Sequence, residues 1–142
     1  LFSLIPYTQS LTNGEVKSFF ETNVLSKIQT YVMGNFEGPW KEYYESGELK
    51  KEGRHRNHTK NGIEREYYKS GALKSELSRV LNQINGIAKS YYENGALRSS
   101  VPFRHGVLEG QVEVFFPNGS KAIENYKDGK KIGIAPKSRG NN

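Results

Sequence analysis

The residues that could support catalysis or metal binding are few and scattered. His55 and His58 lie three residues apart in a basic stretch, so they could supply two ligands to a metal, but no third ligand recurs near them. Glu42, Glu66 and Glu113 alternate with lysine and tyrosine and form no sequestered pair of the kind that acid–base catalysis needs. The glycines are spaced singly, without a phosphate-binding loop leading into a helix. The sequence therefore predicts a non-enzymatic protein with no cofactor and no metal site.

The remaining chemistry is recognition by basic and aromatic side chains. The 142 residues include 21 Lys and Arg against 15 Asp and Glu, a formal net charge of +6, with 9 Tyr, 7 Phe, 1 Trp and no Cys. That aromatic content predicts a folded chain, and the lack of cysteine excludes disulfides and thiolate metal sites. The basic excess is spread along the whole chain and interleaved with acidic residues, which disfavours nucleic acid as the partner because DNA binders concentrate positive charge on one face.

A repeat of 24 residues organises the chain. Gly14, Gly38, Gly62, Gly86 and Gly110 are each 24 apart, and Gly133 follows after 23. Five and six residues after each of the five glycines stands a pair of aromatic residues: Phe19-Phe20, Tyr43-Tyr44, Tyr67-Tyr68, Tyr91-Tyr92 and Phe115-Phe116. Five such pairs in one register indicate five structural units and a partial sixth.

Each unit has the pattern of a β-hairpin. Ser46-Gly47, Ser70-Gly71, Asn94-Gly95 and Asn118-Gly119 follow the aromatic runs, and a residue pair ending in Gly between strand-like segments is typical of a tight turn. Asn23 replaces this glycine in the first unit and can adopt the same left-handed conformation. No helical stripe of apolar residues is present. We expect an all-β fold, an elongated single-sheet meander of about five stacked hairpins that measures about 50 Å.

The unit from Gly38 to Lys50, with closing segments like that from Tyr126 to Gly133, resembles the MORN repeat in its shorter bacterial variant. The resemblance covers residues 14–133 and implies a non-catalytic interaction module. Eukaryotic relatives are associated with membrane lipids, scaffolding and dimerisation. Some bacterial variants are antitoxin-like, and others resemble exported surface proteins. The resemblance implies that the partner is another protein and that the function is neutralisation of a toxin or effector. Two alternative functions are an exported envelope or adhesion protein and an anionic-lipid binding module.

Hairpin pairing predicts which side chains share a face of the sheet. If the loop has two residues, Tyr44, Tyr68 and Tyr92 lie opposite Leu49, Leu73 and Leu97 on a structural face that includes Trp40. The opposite face then carries a column of tyrosines between two basic columns, which we expect to bind the partner. Its residues are Lys41, Tyr43, Lys50, Arg65, Tyr67, Lys74, Lys89, Tyr91 and Arg98. An ordinary solvated face, with lysine and arginine stems covering tyrosine rings, has the same pattern.

The two ends of the chain differ from the repeats. Residues 1–13 include several apolar side chains and are expected to cover one edge of the sheet, and residues 134–142 are expected to form a flexible basic tail. The apolar run that begins at Leu1 is short and lacks a basic flank, so it is not predicted to be a signal peptide. No apolar stretch predicts a transmembrane segment. The resemblance fits a bacterial cytoplasmic protein, or an exported one whose leader would precede Leu1.

Overall fold

The computed structural model describes residues 13–133, and these form one antiparallel sheet without a helix. The expected edge cap over residues 1–13 and the tail at 134–142 lie almost wholly outside the described residues. Fourteen strands follow one another along the chain: β1 Asn13–Phe19, β2 Leu25–Val32, β3 Asn35–Tyr43, β4 Leu49–Arg56, β5 Thr59–Lys60, β6 Gly62–Tyr67, β7 Leu73–Val80, β8 Gln83–Ile84, β9 Gly86–Tyr91, β10 Leu97–Arg104, β11 Val107–Leu108, β12 Gly110–Phe115, β13 Lys121–Lys127 and β14 Lys130–Ile132.

The sheet is a meander in which each strand pairs with its neighbours in the chain. Its order is β1-β2-β3-β4-β6-β7-β9-β10-β12-β13-β14, and the short strands β5, β8 and β11 pair with β4, β7 and β10. Each short strand is separated by a single residue from the strand that follows it, at Asn61, Asn85 and Glu109. The predicted all-β single-sheet meander of stacked hairpins is confirmed.

Two kinds of turn close the hairpins. The aromatic end carries a three-residue loop whose last residue has positive φ, as in Asn23 (62°), Gly47 (104°) and Gly71 (89°). The other end carries a two-residue turn in which both residues have positive φ, for example Asn57 (46°) and His58 (64°). This primed geometry matches the twist of the flanking strands, and asparagine and glycine adopt it at low cost.

The core lies on one face of the sheet, around Trp40. This side chain is 1% exposed, and its ring lies against the backbone of Gly53 on the neighbouring strand. Tyr31, Phe36 and His55 pack nearby, with ring centroids 4.4 Å apart for Tyr31–Phe36 and 6.0 Å apart for Trp40–His55. We call this side of the sheet the tryptophan face. It was predicted to be the structural face, and its Trp40 is the most deeply buried apolar residue among those described.

The first two hairpins are joined by a ladder of five residue pairs between β2 and β3, and the later hairpins by shorter ladders. β4 pairs with β6 through two residue pairs, Lys51↔Glu66 and Glu52↔Arg65, and the β7–β9 and β10–β12 junctions have the same length. Side chains extend these junctions at the aromatic end. The hydroxyl of Tyr44 donates a hydrogen bond to the carbonyl of Tyr67 in the next hairpin at 2.7 Å. The same bond recurs at Tyr68–Tyr91 and at Tyr92–Phe115.

The opposite end of four of the five hairpins, all but β6–β7, is tied by a second set of bonds among the described residues. The amide of Met33 donates to the Asn13 side chain at 2.9 Å, and the amide of Asn57 donates to Glu37 at 2.8 Å. His105 and Asp128 make the equivalent bonds to Asn85 and Glu109. Sequence reasoning missed this feature, although an Asn or Glu stands immediately before each of the five repeat glycines. At Asn13, Glu37, Asn85 and Glu109 the side-chain oxygen accepts a hydrogen bond from the first amide of the two-residue turn that follows the hairpin.

Candidate interaction face

The register of the hairpins differs from the predicted one. Tyr43, not Tyr44, lies opposite Leu49, and Tyr67 and Tyr91 likewise pair with Leu73 and Leu97. The loop has three residues because Tyr44 bonds to Glu48 across it and the Gly47 amide closes a turn onto the Tyr44 carbonyl. A type I turn followed by a residue of positive φ produces this loop. The prediction of a two-residue loop was therefore wrong.

A β-bulge follows each of the first four loops. Between the Tyr43–Leu49 and Glu42–Lys51 pairs, Lys50 has no partner, and Ser26, Lys74 and Arg98 occupy the same place in the other hairpins. A bulge interrupts the alternation of side chains along a strand, so that Lys50 lies on the same side of the sheet as Lys51 and not on that of Leu49. The fifth hairpin pairs without a bulge, which accounts for the spacing of 23 residues before Gly133.

The bulge separates the predicted site residues into two groups. Lys50, Lys74 and Arg98 lie on the tryptophan side, where their charged groups stand 5.5–5.7 Å from the ring centroids of Tyr44, Tyr68 and Tyr92. Lys74 also contacts Glu66 at 3.1 Å. The prediction that Lys50, Lys74 and Arg98 lie on the same face as Tyr43, Tyr67 and Tyr91 was therefore wrong. The other six residues share the opposite face as predicted: Lys41, Tyr43, Arg65, Tyr67, Lys89 and Tyr91.

We call this opposite side the tyrosine face, defined by Tyr43, Tyr67 and Tyr91 with their partners Leu49, Leu73 and Leu97. All six side chains are half-buried, and together they form an apolar stripe across the three central hairpins. Beside the stripe stand Lys41, Arg65 and Lys89, which are exposed. Sequence reasoning missed the leucines as site residues because the two-residue loop placed them on the other face.

Polar contacts on the tyrosine face concentrate at its centre. The Arg65 guanidinium donates to the Glu76 carboxylate at 2.7 Å, and this bond raises the pKa of Arg65. The Tyr67 hydroxyl donates to Glu52 at 2.7 Å. Burial and then this hydrogen bond raise the pKa of Tyr67 to about 12, so its hydroxyl keeps its proton at physiological pH. Within residues 13–133, Lys41 and Lys89 make no ion pair, and the hydroxyls of Tyr43 and Tyr91 make no hydrogen bond.

Shallow grooves run beside the stripe between consecutive hairpins. One has a volume of about 260 Å³ and is lined by residues including Ile28, Pro39, Lys41 and Tyr43. The apolar side chains Ile63 and Ile87 are 46% and 55% exposed and continue the row that Pro39 begins. The tyrosine face thus combines apolar surface, open grooves and unpaired lysines.

The histidines have structural roles. His55 is buried beside Trp40, and burial lowers its pKa, with the charges of Lys60 and Lys27 lowering it further. His58 accepts a hydrogen bond from the Phe36 amide at Nδ1 (3.3 Å) and contacts Asn35 through Nε2 (2.6 Å), so both of its ring nitrogens are engaged. Across residues 13–133, no group of three or more His, Cys, Asp or Glu side chains is placed to hold a metal ion. The same residues contain no helix long and apolar enough to cross a membrane.

A single open sheet of stacked hairpins, with aromatic side chains at the same positions of each unit, defines the class of β-hairpin repeat proteins. The family model described as the MORN repeat variant matches residues 12–33, 36–57, 60–80 and 84–105, more than half of the chain. The chain belongs to this MORN repeat variant family, whose repeats form non-catalytic modules that interact with proteins or membrane lipids. The fifth hairpin, β12–β13, lies beyond the four matched segments but pairs with β10 in the same sheet.

A comparison with curated proteins finds no match. A solved structure of a GtfA/B complex bound to UDP and GlcNAc is similar over 75% of this chain, with 11% identity and a TM-score of 0.30. This chain spans 21% of that one. At so low a TM-score the similarity supports no conclusion about the fold or activity of this chain.

Proposed function

We propose that the protein is a non-enzymatic binding module whose tyrosine face docks a partner protein. The observation that carries the proposal is the alignment of Tyr43, Tyr67 and Tyr91 with a leucine opposite each, on a half-exposed surface. Tyrosine and arginine are enriched at protein interfaces because they combine a large contact area with a polar tip. A stripe that repeats with every hairpin suits an elongated partner surface.

The charges beside the stripe favour an acidic partner. Lys41 and Lys89 are exposed and form no ion pair within the described residues, so a carboxylate of the partner would gain a cation at each end of the stripe. In this proposal the partner is a toxin or effector that the module neutralises by covering its surface. Such neutralisation needs no catalytic group on the module.

Affinity capture with the intact chain tests the proposal. Protein captured from the source organism is identified, and its binding to the wild type is compared with binding to the double variant Tyr43→Ser and Tyr91→Ser. Both rings are half-buried opposite a leucine, so truncation costs stability and circular dichroism is used to show that the variant is folded. The folded variant should lose at least about tenfold in affinity. The matched control is Lys50→Ala with Arg98→Ala on the tryptophan side, which should bind normally.

Two outcomes would overturn the proposal. One is capture of no protein by the intact chain, and the other is equal loss of affinity in the tyrosine variant and its control. For neutralisation, co-expression with the captured partner should relieve growth arrest caused by that partner, and relief should be lost with the tyrosine variant. Growth arrest that persists with the wild type would contradict neutralisation but not binding.

Anionic lipid is a second candidate because the same lysines are exposed. Vesicles that contain anionic lipid should then sediment the protein at low salt and release it as salt screens the charges. The interleaved carboxylates Glu52 and Glu76 on the same face weaken this attraction, so we expect less lipid binding than protein binding. Sedimentation that resists salt would contradict an electrostatic lipid site.

A further inference from the structure

We infer that the segment docked on the tyrosine face is a proline-rich acidic stretch in the polyproline II conformation. The inference rests on the proposed protein-binding function and adds the conformation and composition of the partner segment. Three features of the tyrosine face support it: its period, its free hydrogen-bond donors and the position of its unpaired cations.

The period of the face matches polyproline II. Adjacent strands are about 4.7–4.9 Å apart, so equivalent tyrosines in successive hairpins recur every ~9.4–9.8 Å. A polyproline II helix rises about 3.1 Å per residue with three residues per turn, so every third side chain returns to one face after ~9.3 Å.

Other peptide conformations match less well. Equivalent positions of an α-helix seven residues apart recur after about 10.5 Å, which drifts from the tyrosines by ~2 Å over two hairpins. In an extended strand, residues three apart are separated by about 10 Å but point to opposite faces, so such a strand would meet only alternate hairpins.

The hydrogen-bonding groups of the face suit this ligand. A polyproline II segment has no internal hydrogen bonds, so its carbonyls are free to accept. Tyr43 and Tyr91 offer hydroxyls that have no partner within residues 13–133, whereas the Tyr67 hydroxyl is bonded to Glu52. Proline rings would pack on the tyrosine rings and the leucines beside them, and the stiffness of the segment reduces the entropy lost on binding.

The cations specify where acidic residues belong in the ligand. Arg65 at the centre is already paired with Glu76, whereas Lys41 and Lys89, two hairpins apart, have no ion pair within the described residues. Two hairpins correspond to six residues of polyproline II, about 18.6 Å. The ligand therefore carries two carboxylates six residues apart, with prolines between them.

Synthetic peptides and the intact chain test this inference. The probe is a fluorescein-labelled nine-residue peptide, Pro-Pro-Glu-Pro-Pro-Ala-Pro-Pro-Glu, measured by fluorescence anisotropy at low salt. Three control peptides accompany it: one with the same composition and the carboxylates four residues apart, one with lysines in place of the glutamates, and an acidic α-helical peptide with a heptad repeat. The probe should bind saturably, and each control peptide should bind about tenfold more weakly or worse.

Protein variants locate the binding. Tyr91→Phe removes only a hydroxyl and should weaken probe binding about two- to tenfold, the usual worth of one hydrogen bond. Lys89→Ala should weaken it similarly and should abolish the preference for glutamate over lysine at the nearer end. Lys50→Ala on the tryptophan side should leave it unchanged.

The outcomes separate this inference from the proposed function. No saturable probe binding, equal binding of the spacing control, or preference for the helical peptide would overturn the polyproline II assignment. If the intact chain still captures a partner that depends on Tyr43 and Tyr91, the proposed function stands without it. If neither the partner nor the probe depends on these tyrosines, both proposals fail.

Discussion

Adding one methyl group at Gly53 should destabilise the protein because Trp40 occupies the space. A Cβ built on Gly53 would lie 2.8 Å from Cζ2, 2.9 Å from Cε2 and 3.0 Å from Nε1 of the indole. Ordinary carbon contacts are about 3.5–4.0 Å, so the ring or the strand must move by roughly 0.7 Å. Trp40 is 1% exposed and lies beneath Lys60, whose ammonium is 4.5 Å from the ring centroid, so its room to move is small.

The magnitude follows from two opposing effects. Overpacking a well-filled core costs about 1–3 kcal/mol. Replacing glycine by alanine in a strand ordinarily stabilises by about 0.5–1 kcal/mol, and Gly53 does not have the positive φ that would cancel this gain. The difference spans about 0–2.5 kcal/mol. Because the 2.8 Å contact is with a ring that has little room to move, we expect Gly53→Ala to lower the free energy of unfolding by about 1–2 kcal/mol.

Urea unfolding followed by tryptophan fluorescence is the assay, since Trp40 is the single tryptophan of the chain. The control is Gly133→Ala, where an added Cβ has no neighbour within 4 Å and stability should change by less than about 0.5 kcal/mol. In a Trp40→Ala background, monitored by circular dichroism, Gly53→Ala should become neutral or stabilising. A Gly53→Ala variant as stable as the wild type, with unchanged tryptophan emission, would refute the seating of Trp40 on Gly53.

Three further predictions concern single side chains. Tyr68→Phe should lower the free energy of unfolding by about 1 kcal/mol by removing the bond to the next hairpin, whereas Tyr91→Phe, without such a bond, should not; equal urea midpoints would contradict this. His55 has a lowered pKa in the folded state, so stability should be fullest above about pH 6.5, the unfolded pKa, and should fall as the pH drops below it; His55→Phe should flatten this part of a stability–pH curve. Leu81 has a φ of 50° and is 70% exposed, so Leu81→Asn should stabilise by about 1 kcal/mol, and Asn57→Leu at the equivalent turn position should destabilise as much; opposite signs in thermal unfolding would refute the turn argument.

The fold could be predicted because its signals are local and repeated. A glycine every 24 residues and an aromatic pair in constant register fix the number, order and antiparallel pairing of the hairpins. Asn23 was expected to replace the turn glycine, and it has the required φ of 62°. One hairpin pattern alone would not have identified the fold. Five copies in the same register did, because they are typical of a repeat protein built from stacked hairpins.

The register could not be predicted because two local choices decide it. A pair such as Ser46-Gly47 fits a two-residue loop or the end of a three-residue loop, and the sequence does not separate them. The bulge at Lys50 then adds an unpaired residue. Together they move Leu49 to the tyrosine face and Lys50 away from it. The one visible sign was the spacing of 23 before Gly133, where the bulge is missing.

Because the same bonds recur between hairpins, the length of the sheet can change by whole repeats. Asn61 and Asn85 hold equivalent places, each donating its amide to the carbonyl seven residues earlier, at Arg54 and at Ser78. Excision of residues 62–85 would join Asn61 to Gly86. The hydroxyl of Tyr44 would then face the carbonyl of Tyr91, which is the equivalent acceptor in the following hairpin. The shortened chain would lose about 10 Å of rod and one binding unit. Gene duplication or deletion in steps of one repeat can therefore tune the reach of the protein while keeping the backbone and tyrosine hydrogen bonds at each junction.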